Sequence, residues 1–433
     1  MREPRAPSLL AAALLAVGIG APYALAQVDP LGRSILFVRG ADGTGGPGDT
    51  ENLSDIDNFS TLPGNHGFGW LRTLLELDGF TVSQHVESTS PLTLPLLLPH
   101  RIVVMGSNNG LFSTPEVDAF DQYIDAGGSA LFISDANWGP LWGAAAISDN
   151  LFLARYGAQV YQDSGQAALL LRADPGRFLL PDHPVLSGPD GAGGASDVDA
   201  YDGEGISLFQ VLPSTSAYQA FSIVSATGLL VRLNTPDGSF GPTQPAGPND
   251  SAMIVVETPE TRIVGHFDRN TFFNANGAGT DLTHWHNGQL ALDLFRYLAS
   301  VRAQIQSVGS GCGAGGTPTL SANPPALGGV QIFALTGAAP NAPGFLFLGM
   351  GAAAPAPLPG GCVAQVPPVG LTALPAPNTN AAGAWTLPIP IPQYLSLSGL
   401  VLTVQAATLV PGGPLLGIGE ASNGLQLRLG YPQ

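Results

Sequence analysis

Apolar residues follow two rhythms along this chain. Up to about residue 301, continuous apolar runs alternate with stretches whose leucines and aromatics recur three and four positions apart; beyond it, short runs are separated by closely spaced prolines and glycines. In the first region Ser34 to Arg39 (SILFVR) predicts a strand buried on both sides. Phe68 to Leu77 places Leu71, Leu74 and Leu75 on one helical face, with Gly79 as a stop, and Phe80 to Ser83 predicts a second strand. Arg101 to Met105 predicts a third. The next helix is well punctuated: Thr114 is placed to cap it, Pro115 and Glu116 suit its first turn, Val117, Phe120 and Ile124 form its stripe, and Gly127-Gly128 ends it. Ala130 to Ser134 follows as a fourth strand. Ala252 to Glu257 and Thr261 to Gly265 are further strands, and Gly288 to Ser300 is a closing helix through Leu290, Leu294 and Leu298. Strand and helix in alternation imply a parallel sheet with helices on both faces.

The second region predicts short strands at Val330 to Thr336, Gly344 to Leu348 and Leu400 to Ala406, which with their turn signals fit an all-β sandwich. Its chemistry is sparse. From residue 302 onward the only charged side chains are Arg302, Glu420 and Arg428, and there is no histidine, so acid or base catalysis is not expected there.

The N-terminus changes the picture of where these regions work. Arg2 and Arg5, an apolar run from Leu9 to Ile19 and Ala24-Leu25-Ala26 before Gln27 form a signal peptide over 1–26. The expected product is exported, periplasmic, cell-surface or extracellular. No later stretch is long and apolar enough for an integral membrane segment, and Gln27 stands where a lipoprotein would need Cys. In an oxidising compartment Cys312 and Cys362 most simply form one disulfide. The expected layout is an α/β domain over 31–301, a linker over 302–316 and a β-sandwich domain over 317–433, with the disulfide reaching back to Cys312.

All 15 basic residues are Arg, which excludes a Walker-type phosphate loop, Schiff-base chemistry and a Ser-Lys pair. A net charge of −17 argues against nucleic acid and anionic lipid as partners. A saline setting and a biased genome composition explain the missing Lys equally well.

In order along the chain, SILFVRG, GNHGFGWLRTLLELDGFTV, DAFDQYIDAGGSALFISDANWG, DHPVL, RIVGHFDRNTFF and HNGQLALDLFRYLA together resemble the class I glutamine amidotransferase-like superfamily, in particular its ThuA-like, non-amidotransferase branch. The resemblance covers most of 31–301 and implies a flavodoxin-like parallel sheet. The glutaminase branch of that superfamily carries a nucleophilic Cys on the turn after the strand matching ALFIS. Here that turn reads Ser134-Asp135-Ala136-Asn137, and 31–301 contains no Cys, so amidotransferase activity is not expected. The last 120 or so residues, from a GCG-type Cys to a strand like Gly424 to Gly430, resemble a C-terminal module of large secreted bacterial proteins, for which sorting, surface attachment or adhesion are the natural roles.

Ligands of open parallel sheets bind beyond the carboxyl ends of the strands. There the sequence places Asp42, His66, Asn108, Asp135, Asn137, His266 and Asp268. ThuA-like relatives often carry His where His66 stands. Asp135 is the candidate catalytic residue, as a general base, or a ligand-binding acid, against the plainer role of helix cap or loop organiser. In an extended segment His284 and His286 would point to one side and, with His266, could hold a divalent metal; otherwise Trp285 between them packs the loop. No cofactor is required by the sequence. Acidic loops at 42–57 and 197–204 could hold calcium but depart from the twelve-residue pattern, and His183 before Pro184 fits a turn. Three functions follow: a non-catalytic module binding a small molecule or glycan, a hydrolase using Asp135 or a His-bound metal, and a structural or adhesive surface protein. The missing nucleophile and the polar strand ends favour the first.

Overall fold

The computed structural model describes residues 33–39, 55–62, 67–86, 90–105, 112–133, 145–161, 167–188, 197–204, 208–213, 216–234, 240–258, 260–274, 280–392 and 397–431. The chain divides into two compact units, one ending at Ser300 and the other running on from Val301.

The first unit is mixed α/β. Its strands are β1 (Ser34–Arg39), β2 (Thr81–Val86), β3 (Ile102–Met105), β4 (Ser129–Ile133), β5 (Ala158–Tyr161), β6 (Ala167–Leu171), β7 (Ala200–Glu204), β8 (Leu208–Val211), β9 (Ala220–Ser225), β10 (Leu230–Asn234), β11 (Phe240–Pro245), β12 (Asp250–Glu257) and β13 (Arg262–His266). One large sheet runs in the order β2-β1-β3-β4-β13-β12-β8-β5, with β9 also paired to β12. From β2 to β13 every pairing is parallel. At β12 the sense changes, because β12 and β13 are joined by a connection too short for a crossover and so pair antiparallel. β12 then pairs antiparallel with β8 and β9. The wholly parallel sheet expected from the strand–helix alternation is therefore only half of what is present.

The apolar runs explain the layers. Leu36, Val38, Val103, Met105, Ala130 and Phe132 point to one face, where they meet Phe120, Tyr123, Ile124 and Phe152 of the helices Thr114–Asp125 and Ala145–Leu153. On the other face Phe37 meets Phe68 and Phe295, at the helices Gly69–Leu77 and Asn287–Ala299. The cap of the helix Thr114–Asp125 is Ser113, one residue before the expected Thr114. Glu116 explains the shift: its carboxylate accepts from the Ser113 N–H and hydroxyl, both at 2.8 Å, and from the Leu92 N–H at 3.0 Å. Although burial opposes it, these bonds hold the Glu116 carboxyl below its ordinary range.

The second unit contains β14 (Gln304–Val308), β15 (Thr319–Ala322), β16 (Val330–Thr336), β17 (Gly344–Met350), β18 (Ala356–Pro357), β19 (Val363–Ala364), β20 (Thr372–Ala376), β21 (Trp385–Pro390), β22 (Val401–Leu409) and β23 (Gly419–Arg428). Two antiparallel sheets, β14-β23-β22-β17-β20 and β15-β16-β21, close on one core of Leu320, Phe333, Leu335, Leu346, Val404 and Leu425. The stretch 302–316, expected as a linker, contributes β14, paired with β23 along its whole length. Its neighbouring Ile305, half-buried against the core, and Gln306, exposed, suit an edge strand with one face on the core. Cys312 and Cys362 form the expected disulfide. Among the described residues no helix is long and apolar enough to cross a membrane.

Candidate functional site

β13 delivers His266 to the carboxyl end of the parallel half of the sheet, beside the end of β4. The imidazole is fully buried among Tyr201, Phe267 and Phe272. Burial drives its pKa down to about 3, so the ring is neutral at ordinary pH. Its Nδ1 lies 2.7 Å from the Asp268 carbonyl oxygen. The Asp268 N–H lies farther from the same atom, at 3.3 Å; the shorter contact is to an acceptor, which favours the proton on Nδ1 and makes Nε2 the bare acceptor. That Nε2 has no hydrogen-bond partner, and neither does the nearby buried Tyr201 hydroxyl, which burial keeps protonated by raising its pKa.

Asp268, also fully buried, accepts from the Asn270 N–H at 3.0 Å. Its second oxygen lies where a Cβ on Gly203 would come within 2.6 Å, so β7 can pass this close only with glycine at that position.

A second layer is organised by Asp202 on β7. Its carboxylate takes His284 Nδ1 at 2.5 Å and Asn287 Nδ2 at 2.8 Å. Its N–H donates to Asn287 Oδ1 at 3.0 Å, and its carbonyl accepts from Thr271 Oγ1 at 2.8 Å. Asn287, the first residue of the closing helix, also donates to the Asp281 carbonyl. The helix start and the strand are thereby fixed to each other, and His284 is held by a buried carboxylate while its own side chain is 48% exposed.

The His-x-His segment is not extended. The His284 N–H donates to the Asp281 carbonyl and the Asn287 N–H to the His284 carbonyl, so the backbone turns. His286 Nδ1 accepts from the Asp199 N–H at 2.9 Å, which in the neutral ring places its proton on Nε2 and leaves that atom unable to ligate a metal. Among the described residues no group of three His, Cys, Asp or Glu side chains is placed to hold a metal ion. Asp197 and Asp199, weighed for calcium, lie 4.0 and 3.6 Å from the Arg172 guanidinium, and Asp202 is engaged by His284. Trp285 packs on the loop only in part. It has φ of +42° and is 56% exposed, with its ring 6.1 Å from that of His284.

His266 and Asp268 are thus placed together, and His284 and His286 lie over β7 nearby. His66, Asn108, Asp135, Asn137 and Asp42 lie outside the described residues. His183 caps the short helix Pro184–Ser187, accepting from the Val185 N–H. The residues that sequence reasoning passed over are Tyr201, Asp202 as a side-chain partner, and Asn287. An Asn opening a strongly periodic helix was the available signal for the last.

No family model matches the chain, and no curated protein does. Among solved structures it is similar to one described as "mmIFT52 N-terminal domain", with 13% identity, 61% of this chain and 97% of that chain covered, and a TM-score of 0.39. A likeness this slight carries no functional inference.

Proposed function

We propose that the protein is an exported, non-catalytic binding module that takes a small molecule, with glycans the class best served, on a flavodoxin-like sheet of the amidotransferase-like kind. Trp285 carries the reading. A bulky residue at positive φ costs about 1–3 kcal/mol, and here that conformation presents a large apolar ring to solvent rather than to the core. His284, fixed by Asp202 beside it, supplies a polar edge. Sugars offer an apolar face for an indole and hydroxyls for such an edge. The order β2-β1-β3-β4-β13 of the parallel strands supports the fold assignment. The unpartnered His266 Nε2 and Tyr201 hydroxyl, costly to bury unmet, support a polar ligand or bridging water at the strand end.

The test is calorimetric titration of the full chain with a panel of neutral and acidic oligosaccharides. Trp285→Gly is expected to weaken the best binder about tenfold or more, the equivalent of one lost aromatic stack. The same variant should melt no lower than the parent, since it relieves the positive φ. Binding that survives the substitution undiminished defeats the reading. N-terminal sequencing of the protein recovered outside the cytoplasm is expected to begin at Gln27.

The Asp202–His284 pair favours a second reading, a hydrolase in which a carboxylate-oriented imidazole activates water. It predicts oxygen-18 uptake from labelled water into a cleaved oligosaccharide, lost in Asp202→Asn while binding remains.

A further inference from the structure

The five-stranded sheet of the second unit has two faces. Leu346, Leu348, Val404 and Leu402 turn inward to the core, and Phe347, Gln405 and Ala407 turn the other way. Alternation makes the outward face a surface position, yet it is roofed by the excursion between β17 and β20, residues 351–371, which carries β18 and β19. Between sheet and roof lies a cavity of about 660 Å³. Phe347 and Ala407 line it from the sheet, Val366, Pro367 and Leu371 from the roof, and Leu415 from the β22–β23 connection.

The roof is held at several places. The disulfide ties Cys362 to Cys312. Gln405 donates from Nε2 to the Val363 and Ser422 carbonyls at 2.9 and 2.7 Å and accepts from the Gln365 N–H at 2.9 Å. The Met350 N–H closes the base on the Val369 carbonyl. A space held open in this way is a formed site rather than a packing defect, and its volume falls in the range of small-molecule sites.

We propose that this cavity binds an uncharged aliphatic molecule, a hydrocarbon chain or ring without an ionised head group. None of the unit's three charged side chains, Arg302, Glu420 and Arg428, lines it. Its one polar side chain, Gln405, already has both N–H groups on carbonyls. The prolines of the roof bring no N–H. A carboxylate, phosphate or ammonium would lose its hydration and find no counter-charge, which disfavours ionised ligands. A peptide would bury more amide groups than so largely apolar a lining can meet. A hydrocarbon loses nothing of the kind and gains in proportion to the area it buries.

The probe is Nile red, an uncharged dye, titrated into the full-length protein and followed by its blue shift. The expected result is saturable binding of one dye per chain, displaced by n-decane and at least tenfold less well by decanoate. Val369 lines the cavity and is 65% exposed, so Val369→Asp should leave melting unchanged and weaken the dye about tenfold, by placing a carboxylate at the mouth. Ala364→Trp, which fills the space from β19, should abolish binding. Trp285→Gly should leave it untouched, which separates this site from the glycan reading. Non-saturable binding, displacement by decanoate as effective as by decane, or full affinity in both cavity variants would overturn the proposal.

Discussion

The two units solve the same problem, satisfying buried backbone and side-chain polar groups, with different chemistry. In the α/β unit ions do much of it, beside amides such as Asn287 and Asn274. Arg101, buried at the start of β3, donates to the carbonyls of Gly127, Glu260 and Ser300, and Asp202 joins a strand, a 3₁₀ turn and a helix. In the β unit amides do it. Gln405 clasps the cavity roof, and Asn423 accepts from the Leu320 N–H at 2.7 Å while donating to Ser307 Oγ and the Leu320 carbonyl. Hydroxyls contribute too, Thr379 and Ser422 accepting from the Ala342 and Ala406 N–H groups, and the one carboxylate that does so is Glu420, which accepts from the Ala314 and Ala339 N–H groups. Ions make stronger bonds but titrate, and amides make weaker bonds that pH leaves alone. The unit that carries the polar candidate site is therefore also the acid-sensitive one.

The largest expected effect tests that contrast. The buried His266 ring has its pKa lowered to about 3, against an ordinary 6.5. An unfolded chain takes up this proton below pH 6.5 while the folded one refuses it until about pH 3. Stability from this group is thus fully present above 6.5 and is lost as pH falls, by up to about 1.4 kcal/mol per pH unit and roughly 4–5 kcal/mol in all. Glu257 adds to the loss at the acid end. Burial opposes its ionisation, but His183, Tyr297 and Arg262 outweigh that and hold its pKa at about 2, so its contribution fades from 4.5 downward. The β unit has no histidine, the side chain whose ordinary titration falls between pH 5 and 8. Scanning calorimetry of the full chain should show one transition moving to lower temperature between pH 7 and 5 and the other standing still. His266→Gln should flatten the slope of the first. Two transitions that move together would break the comparison.

Reduction should produce the opposite asymmetry. The disulfide spans 50 residues of sequence, and in the chain-entropy model opening such a loop costs about 4 kcal/mol. A phosphine reductant should lower the β-unit transition alone. Because Cys362 sits on the cavity roof, amide exchange should rise over residues 351–371 before it rises in β22 and β23. Uniform exchange across the unit would show that the disulfide supports the whole sandwich rather than the roof.

How much of this was legible in the sequence depends on how local the cause is. The SILFVR run has the same bounds in sequence and structure, Ser34–Arg39, because a strand buried on both faces is apolar throughout. The strands β5, β8 and β9 (AQVY, LFQV and AFSIVS) are short and without clean alternation, and long-range packing decides what they pair with. The same holds at the site. In the sequence Asp202 is one more carboxylate of the acidic loop at 197–204, but its partners His284 and Asn287 lie 82 and 85 residues away. The cavity was invisible for another reason. Its roof is rich in Pro, Ala and Gly, a composition that announces a loop, and only a buried Cys in so uncharged a stretch hinted that the loop is fastened down.

The smallest effect separates the sequence's view of one helix from the structure's. If Thr114 capped the helix Thr114–Asp125, Thr114→Ala would cost about 1 kcal/mol. In the structure Thr114 is the first helical residue, and Ser113 outside it shares a carboxylate oxygen of Glu116 between its N–H and its hydroxyl. Ser113→Ala removes one of those bonds and should cost about 1 kcal/mol, a fall of roughly 2–3 °C in the α/β transition only. Thr114→Ala should stay within about 0.5 kcal/mol of the parent. Glu116→Ala should exceed both, since it also leaves the buried Leu92 N–H without an acceptor. The order Glu116, Ser113, Thr114 is the signature of a box closed from inside the helix. Were Thr114 to rank above Ser113, the cap would sit where the periodicity alone placed it, and the Glu116 bonds would contribute little.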